Sequence, residues 1–201
     1  SIWMLVDEKE NINIENKKCF VIGGGTVAKR KVNMLLDFGA DVTVVAEELK
    51  QDFEGCNVLK KPFEYDDIKS AFFVVASTDN KKLNSEIAQY CRENNIYVNS
   101  VTNADDCTFT LSSYIKQGDV VISVNTSGKS PALSKYLREY IEKIIPSNLS
   151  ELLDNINGIR QNIYEKYGEN ARHIFRKLID YGFKNQGKLP VGDDYEDKNR
   201  N

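Results

Sequence analysis

The chain has 201 residues, of which 41% are hydrophobic and 28% are charged, and its formal net charge is -3. This length is enough to bury a core, either in one large domain or in a larger unit with a smaller partner. The slightly acidic balance gives no global reason to expect a nucleic-acid partner, and no apolar run has the length of a membrane span.

The first quarter of the chain alternates predicted strands with a helix. Residues 2–6 are apolar and predict an edge strand or an N-terminal arm. Residues 19–22 form an apolar run without polar alternation, which is typical of a strand covered on both faces in a parallel sheet. Three glycines follow, and apolar residues at helical spacing then predict a helix that ends near Gly39. Residues 42–45 predict the next strand.

The glycine turn after residue 22 fits the pattern G-x-G-x-x-G/A through Gly23, Gly25 and Ala28. In this pattern the first glycine permits a tight turn, and the second leaves no Cβ where a pyrophosphate approaches the backbone. The N–H groups at the helix N-terminus then bind the phosphates. The context of strand, turn and amphipathic helix predicts a dinucleotide-binding unit. The alternative is a turn that only connects strand to helix.

Two acidic residues follow the strand at 42–45. Glu47 stands about 20 residues beyond the glycines, where a ribose hydroxyl would be bound. Together with Glu48 it favours NAD as the cofactor, because a carboxylate repels the 2′-phosphate of NADP. Lys50 leaves NADP open as the alternative.

The middle of the chain continues the alternation, which predicts an α/β fold with a Rossmann-like doubly wound parallel sheet. Thr78 and Asp79 follow the most apolar strand, at the carboxyl end where open sheets bind ligands, and we predict that both contact the cofactor. For Asp79 the alternative is a cap on the next helix. The predicted strands are 57–59, 71–76 and 96–99, and the predicted helices are 49–53 and 81–93.

The pattern changes after residue 99. Two β-rich runs, 108–111 and 120–124, predict a hairpin, so a second module begins near residue 112. The next helix opens at Ser130 and carries an apolar stripe that includes Leu133 and Ile144, and two further amphipathic helices follow it. Residues from about 184 onward are polar, and we expect them to be disordered.

A second chemically suggestive stretch lies between the strand at 120–124 and the helix that follows. Hydroxyl groups, backbone N–H groups, a helix dipole and a lysine converge there, which predicts a site for carboxylates or phosphates. The alternative, an ordinary N-capped helix start, accounts only for the serine cap and the proline after it. The residues of the predicted site are Thr126, Ser127, Gly128, Lys129 and Ser130.

Three segments in this order resemble the precorrin-2 dehydrogenases, the family that also forms the N-terminal part of siroheme synthase. VIGGGTVAKRK at residues 21–31 resembles the family's cofactor loop, and VVASTDN at 74–80 resembles the end of its fourth strand. TSGKSPALSKYLRE at 126–139 resembles the signature helix of its second module, which most Rossmann proteins lack. The resemblance covers residues 18–146.

The resemblance implies an NAD-dependent oxidation of precorrin-2 to sirohydrochlorin, a step toward siroheme, with ferrous iron insertion in some members. It implies a homodimer built from an NAD-binding domain over residues 1–111, a dimerisation and substrate module over 112–146 and a helical C-terminal domain over 147–183. The tail 184–201 is the segment expected to be disordered. The substrate carries many carboxylates, which suits the turn at 126–130.

By position, the resemblance places Thr26 and Val27 at the cofactor and Asn99 and Thr102 at the substrate. Where this chain has Thr102, the family usually has an aspartate that assists proton removal. A threonine hydroxyl cannot act as a general base near neutral pH. We therefore predict that Asp105 replaces the missing carboxylate if its loop bends back; the alternative is that it is a solvated loop acid.

Two other functions remain open: a dinucleotide- or tetrapyrrole-binding protein without turnover, and a Rossmann reductase that acts on another polyanionic substrate. A metal site is not expected, because His173 is the only histidine and the four cysteines lack C-x-x-C spacing. The cysteines are typical of reduced core residues in a cytoplasmic protein. The N-terminus shows no secretory apolar region.

Overall fold

The computed structural model describes residues 3–7, 10–109, 111–192 and 195. The chain divides into two compact units, Ser1–Leu111 and Ser112–Asn201. In the first unit Trp3–Asp7 (β1) and Glu10–Asn13 (β2) pair antiparallel as a separate two-stranded sheet. Residues 3–6 therefore form a strand of a hairpin and do not join the main sheet, and residue 2 lies outside the described residues.

The main sheet of the first unit is parallel and Rossmann-like. Its strands are β3 (Lys18–Ile22), β4 (Asp41–Val45), β5 (Asn57–Leu59), β6 (Phe73–Ala76) and β7 (Tyr97–Ser100), and its helices are α1 (Thr26–Asp37) and α2 (Lys81–Glu93). The strand order is β5-β4-β3-β6-β7, with every pair parallel. The order reverses beside β3, as in a Rossmann sheet, so the predicted fold class is confirmed.

The core of this unit holds the ends of β6 and β7 in place. All four residues of β6 are buried. Helix α2 presents Ile87, Ala88 and Cys91 to a cluster that also contains Val74 and Val98. Each fully buried valine or isoleucine side chain in this cluster contributes about 1.5–3 kcal/mol to folding. The loops that leave these strands therefore start from a rigid base.

One local prediction in the first unit is wrong, and the structure excludes one alternative interpretation. Residues 49–53 form a loop and no helix. The N–H of Lys50 donates to the carbonyl of Gly24 at 2.8 Å, which holds this loop against the glycine turn instead of letting it coil on itself. Asp79 does not cap α2, because Asn80 is the N-cap and its side chain accepts a hydrogen bond from the N–H of Leu83 at 3.1 Å.

The second unit is a hairpin followed by three helices. Its elements are β8 (Ser113–Gln117), β9 (Val120–Val124), α3 (Pro131–Ile144), α4 (Leu149–Tyr167) and α5 (Ala171–Lys184). The hairpin and the three helices are confirmed, but the first hairpin strand is not at 108–111. The described residues there lie in a loop, and Phe109 packs on Phe73 with ring centroids 4.5 Å apart. Residue 110 lies outside the described residues.

Helices α4 and α5 share a small apolar core. Its buried members are Ile163, Ala171, Ile174 and Leu178, with Leu189 from beyond α5 packed against them. The Nδ2 of Asn148 donates to the carbonyl of Gln186 at 3.0 Å. These contacts hold Gln186 and Leu189 against the helices, and the disorder expected of the tail stays a prediction. Of the later positions only residue 195 is described.

Helix α3 keeps much of its apolar stripe exposed. Leu133 is 48% exposed, Tyr136 65%, Tyr140 54% and Ile144 62%. These four positions recur at helical spacing and share one face. The contacts within the second unit therefore leave an apolar surface on this helix.

Candidate functional site

A cleft of about 390 Å³ lies at the carboxyl ends of β3, β4 and β6. It opens beside β3, where the strand order reverses, which is the position at which open α/β sheets bind ligands. Most of its wall comes from the glycine turn after β3, the loop after β4 and the loop after β6. The predicted cofactor residues that line it are Gly23, Gly25, Glu47, Glu48, Thr78 and Asp79.

The glycine turn is shaped by contacts that exclude side chains. Gly23 has a φ of +127°, which residues with a Cβ rarely adopt, and its N–H donates to the carbonyl of Val45 at 2.9 Å. A Cβ on Gly24 would overlap the carbonyl oxygen of Glu48. A Cβ on Gly25 would meet nothing within 4 Å. The turn therefore leaves room for a ligand at Gly25, while Gly24, which the sequence pattern leaves without a role, is required for packing.

Helix α1 begins at the edge of the cleft. Gly25 is its N-cap and gives no side-chain hydrogen bond to the first turn, so the amides of that turn have no partner within the helix. Together with the helix dipole, these amides favour an anion. Thr26 and Val27 are exposed and their side chains do not line the cleft. The helix start thus offers the cleft backbone groups rather than these two side chains.

The part of the cleft formed by the loop after β4 is acidic. Glu47 and Glu48 lie in this loop and both line the cleft. The Nζ of Lys50 lies 2.9 Å from Oδ2 of Asp79, so this ion pair joins the loop after β4 to the loop after β6. The hydrogen bond to Asp79 raises the pKa of Lys50 above its ordinary value. The one cation among these cleft residues is therefore already paired with a carboxylate.

Asn84 connects the loops that follow β6 and β7. It lies in the first turn of α2 and is completely buried. Its Oδ1 accepts hydrogen bonds from the N–H of Thr78 at 3.0 Å and from the Thr78 hydroxyl at 2.7 Å. Its Nδ2 donates to the Thr78 carbonyl at 2.9 Å and to the Thr102 hydroxyl at 2.8 Å. Sequence analysis missed this residue, since an asparagine near a helix start is typical of capping.

The end of β7 and the loop after it carry the remaining predicted residues of the first unit. Asn99 is buried, and its Nδ2 donates to the carbonyl of Phe109 at 2.9 Å. Thr102 is half-buried against Asn84. Asp105 is exposed, and its N–H is bonded to Oδ1 of Asn103 at 3.2 Å. Asn99 therefore orders this loop, while Asp105 keeps a carboxylate in solvent.

The neighbouring acid, Asp106, makes contacts within the protein. Asp106 accepts a hydrogen bond from the hydroxyl of Ser85 at 2.9 Å, and its Oδ1 lies 3.6 Å from Nη1 of Arg92. The same Arg92 nitrogen donates to the backbone carbonyl of Asp106 at 2.8 Å. These contacts tie the loop after β7 to α2. Asp105, and not Asp106, is therefore the acid of this loop with an exposed carboxylate.

Two partly buried groups of the first unit have shifted pKa values. Burial, with a smaller effect of Arg30, lowers the pKa of Lys31 to about 8, against an opposing effect of Cys107. Burial raises the pKa of Cys107, against the N–H of Ser100, which donates to its Sγ at 3.2 Å. Cys107 is thus a neutral thiol at physiological pH and not a nucleophile.

The predicted anion site of the second unit lies at the start of α3. The Thr126 hydroxyl accepts from the N–H of Ser130 at 3.2 Å, and the Ser130 hydroxyl accepts from the N–H of Leu133 at 3.2 Å. Ser127 and Gly128 have positive φ values, 51° and 73°, and with Lys129 they are exposed. The hydroxyl groups of Thr126 and Ser130, which accept these backbone hydrogen bonds, therefore shape the turn. Its exposed tip carries Lys129.

In residues 3–7, 10–109, 111–192 and 195, no group of three or more histidine, cysteine, aspartate or glutamate residues could hold a metal ion. His173 lies in α5. Within those same residues, no helix combines the length and the apolar character that crossing a membrane requires. All four cysteines are free thiols, and Cys19 and Cys91 are buried.

The fold and the cleft define an NAD(P)-binding α/β protein. The sequence model of the family described as "Putative NAD(P)-binding" matches residues 11–113, just over half of the chain, and the chain belongs to this family. The prediction of a nicotinamide dinucleotide cofactor is confirmed at this level.

Named relatives narrow the comparison. The siroheme synthase of Ruthia magnifica subsp. Calyptogena magnifica is 33% identical over 181 residues, which cover 84% of this chain and 37% of that protein. The siroheme synthase of Psychromonas ingrahamii is 33% identical over 177 residues, 84% of this chain and 38% of that protein. The chain thus spans a little over a third of these curated relatives.

A solved structure shares the fold. The structure titled "SirC, precorrin-2 dehydrogenase" matches with a TM-score of 0.66 and 20% identity, covering 86% of this chain and 89% of that one. Together with the siroheme synthases, this match agrees with the resemblance found in the sequence.

Proposed function

We propose that this chain is an NAD-dependent precorrin-2 dehydrogenase that forms sirohydrochlorin on the route to siroheme. The observation that carries the proposal is the cleft beside β3, where Gly25 borders open space at the start of α1. We propose precorrin-2 as the substrate because the similar proteins are named siroheme synthase and precorrin-2 dehydrogenase. The second unit, with its Thr126–Ser130 turn, has the surface chemistry that such a substrate requires.

The cleft residues fit a dinucleotide. Gly25 and the first-turn amides of α1 would hold the pyrophosphate, because no side chain blocks them. Glu47 or Glu48 would accept hydrogen bonds from the ribose hydroxyls. These carboxylates favour NAD, since they repel a 2′-phosphate and the nearby Lys50 is paired with Asp79.

Dehydrogenation removes one hydride and one proton from precorrin-2. Bound NAD supplies the hydride acceptor, which is the chemistry that a nicotinamide brings to such a site. The chain supplies orientation of the two reactants and a route for the proton. We assign the proton to Asp105, whose exposed carboxylate stands three residues after Thr102, the position where the resembled family has its aspartate.

Substrate carboxylates would bind at the turn before α3. Lys129 and the backbone N–H of Gly128 lie at its exposed tip, whereas the N–H of Ser127 donates to Oδ1 of Asn125 at 2.8 Å. A lysine and a backbone amide close to a helix start are suited to carboxylates. Asn99 and Thr102 are the proposed substrate contacts in the first unit, with Thr102 the better placed of the two because Asn99 is buried.

A homodimer is part of the proposal. The exposed apolar face of α3, made of Leu133, Tyr136, Tyr140 and Ile144, supports it. Burial of such an apolar face against a second copy removes it from water and lowers the free energy. The proposed location is the cytoplasm, supported by four free thiols.

Turnover of precorrin-2 separates this proposal from its main competitor. The competitor is a binding protein without catalysis, and Thr102 in place of the family's aspartate favours it. Saturable NAD binding without NADH formation would establish the competitor. Thr102→Asp is then the informative variant: a gain in turnover shows that the missing carboxylate limits the rate, and an unchanged rate assigns the proton to another group.

Loss of sirohydrochlorin with ferrous or cobaltous ion would reveal chelatase activity.

A further inference from the structure

The buried amide of Asn84 has no role in capping or in the apolar core. It is 0% exposed in the first turn of α2, whose N-cap is Asn80. Its two amide hydrogens and its two oxygen lone pairs are all used, three of the four bonds going to Thr78 and one to Thr102. An apolar residue at this position would take these partners away from the backbone of Thr78 and from the hydroxyl of Thr102. We therefore look for the function of the amide in the two residues that it holds, Thr78 and Thr102.

The two threonines that Asn84 holds lie at the ends of neighbouring strands. Thr78 follows β6 and lines the cofactor cleft. Thr102 follows β7, in the loop proposed to contact the substrate. One side chain thus sets the spacing between the cofactor wall and the substrate loop.

The orientation of the amide is fixed by the backbone. If it were flipped, Oδ1 would face the carbonyl oxygen of Thr78, which is a repulsive contact between two acceptors. Nδ2 must therefore point at Thr78 and Thr102, and the Thr102 oxygen accepts. Because that oxygen accepts from Asn84, the hydroxyl hydrogen of Thr102 is directed elsewhere and is able to donate.

We propose that Asn84 is a positioning residue that fixes Thr78 in the cofactor wall and directs the hydroxyl of Thr102 as a hydrogen-bond donor toward a substrate carboxylate. The substrate half of this proposal rests on the proposed function. The cofactor half stands on the cleft alone.

Asn84→Asp tests both halves with almost no change in volume. The new oxygen faces the Thr78 carbonyl and the Thr102 hydroxyl, so the donor bonds are lost. We expect the Kd for NAD and the KM for precorrin-2 each to rise about tenfold, because displacements of a fraction of an ångström at a site are costly. Asn94→Asp is the matched control at the other end of α2, where the exposed Asn94 bonds only to its own helix. It should leave both constants unchanged.

A pH series distinguishes positioning from a general loss of structure. Burial raises the pKa of a carboxylic acid, and the protonated form regains an O–H donor. The NAD affinity of Asn84→Asp should therefore recover toward the wild-type value as the pH falls, relative to Asn94→Asp at each pH. A lower melting temperature with unchanged NAD affinity and unchanged KM at every pH would overturn the proposal.

The partners of Asn84 provide a second route if Asn84→Asp does not fold. Thr78→Val should weaken NAD binding, and Thr102→Val should raise the KM for precorrin-2 without weakening NAD binding, with Thr102→Ser restoring it. Absence of these effects would overturn the respective half. If the wild-type protein forms no NADH from precorrin-2, the proposed function and the substrate half fail together, whereas the NAD titrations still decide the cofactor half.

Discussion

Replacing Gly25 by alanine should weaken NAD binding about ten- to hundredfold while leaving the fold intact. Gly25 has φ -92° and ψ -174°, an extended conformation that alanine adopts without strain. Its added Cβ would meet nothing within 4 Å in the protein. Alanine is a poorer N-cap than glycine, so the free energy of unfolding should fall by no more than about 1 kcal/mol.

The effect on binding should be larger. The methyl group would occupy the space through which a pyrophosphate reaches the first-turn amides of α1. Loss of one hydrogen bond to a charged phosphate costs about 1.5–3 kcal/mol, which raises the Kd for NAD about ten- to hundredfold. Isothermal titration calorimetry gives the Kd, and thermal unfolding gives the stability of the same samples.

Two other glycines provide matched controls. Gly24→Ala should destabilise the protein strongly, because its Cβ would overlap the backbone of Glu48. Gly158→Ala, in the interior of α4 with nothing within 4 Å, should raise the free energy of unfolding by about 0.5–1 kcal/mol and leave NAD binding unchanged. If Gly25→Ala bound NAD as tightly as the wild type, the cofactor would not lie on the glycine turn.

Four further predictions follow from other parts of the chain. Asp79→Asn releases Lys50 and should improve NADP binding relative to NAD by up to about fivefold in competition titrations; an unchanged ratio would show that the ion pair does not select the cofactor. The pKa of Lys31 is 10.5 in the unfolded chain and about 8 in the folded protein, because burial disfavours the charged form. At neutral pH the lysine is charged in both states, so its charge opposes folding. Lys31→Met should raise the free energy of unfolding by about 3 kcal/mol there, with the gain vanishing above the unfolded pKa; a gain independent of pH would refute this cause. Tyr140→Glu should convert a dimer to a monomer in analytical ultracentrifugation, and a retained dimer would place the interface elsewhere. Asp105→Asn should lower kcat about a hundredfold without changing the Kd for NAD, whereas an unaltered kcat would remove its assigned role.

The elements fixed by periodicity were predictable from the sequence. Helix α2 was predicted at 81–93 and is Lys81–Glu93, because Leu83, Ile87 and Cys91 repeat on one face. The third strand of the main sheet was predicted at 57–59 and is Asn57–Leu59. In α2 the apolar repeat and the buried face of the helix coincide, so the tertiary structure changes nothing there.

The wrong predictions depend on contacts between distant residues. The loop at 49–53 is held open by a bond from Lys50 to Gly24, which lies far away in sequence. The run at 108–111 has the composition of a strand, yet its described residues form a loop that packs Phe109 against Phe73. Neither contact leaves a local pattern.

The candidate site shows the same division. Gly23, Gly25 and Glu47 are predicted as cofactor residues because that task requires a particular residue type at a particular spacing, and all three line the cleft. Gly24 and Asn84 were missed because their roles are visible only in the close approach of Glu48 and in the bonds to Thr78 and Thr102.

The most direct test of the account is anaerobic incubation of the purified protein with precorrin-2 and NAD, with the absorbance of NADH and of sirohydrochlorin recorded together. The account predicts that NADH and sirohydrochlorin appear in equal amounts, at a rate proportional to the protein and reduced in Gly25→Ala. Formation of sirohydrochlorin no faster than without protein, with no NADH, would contradict it.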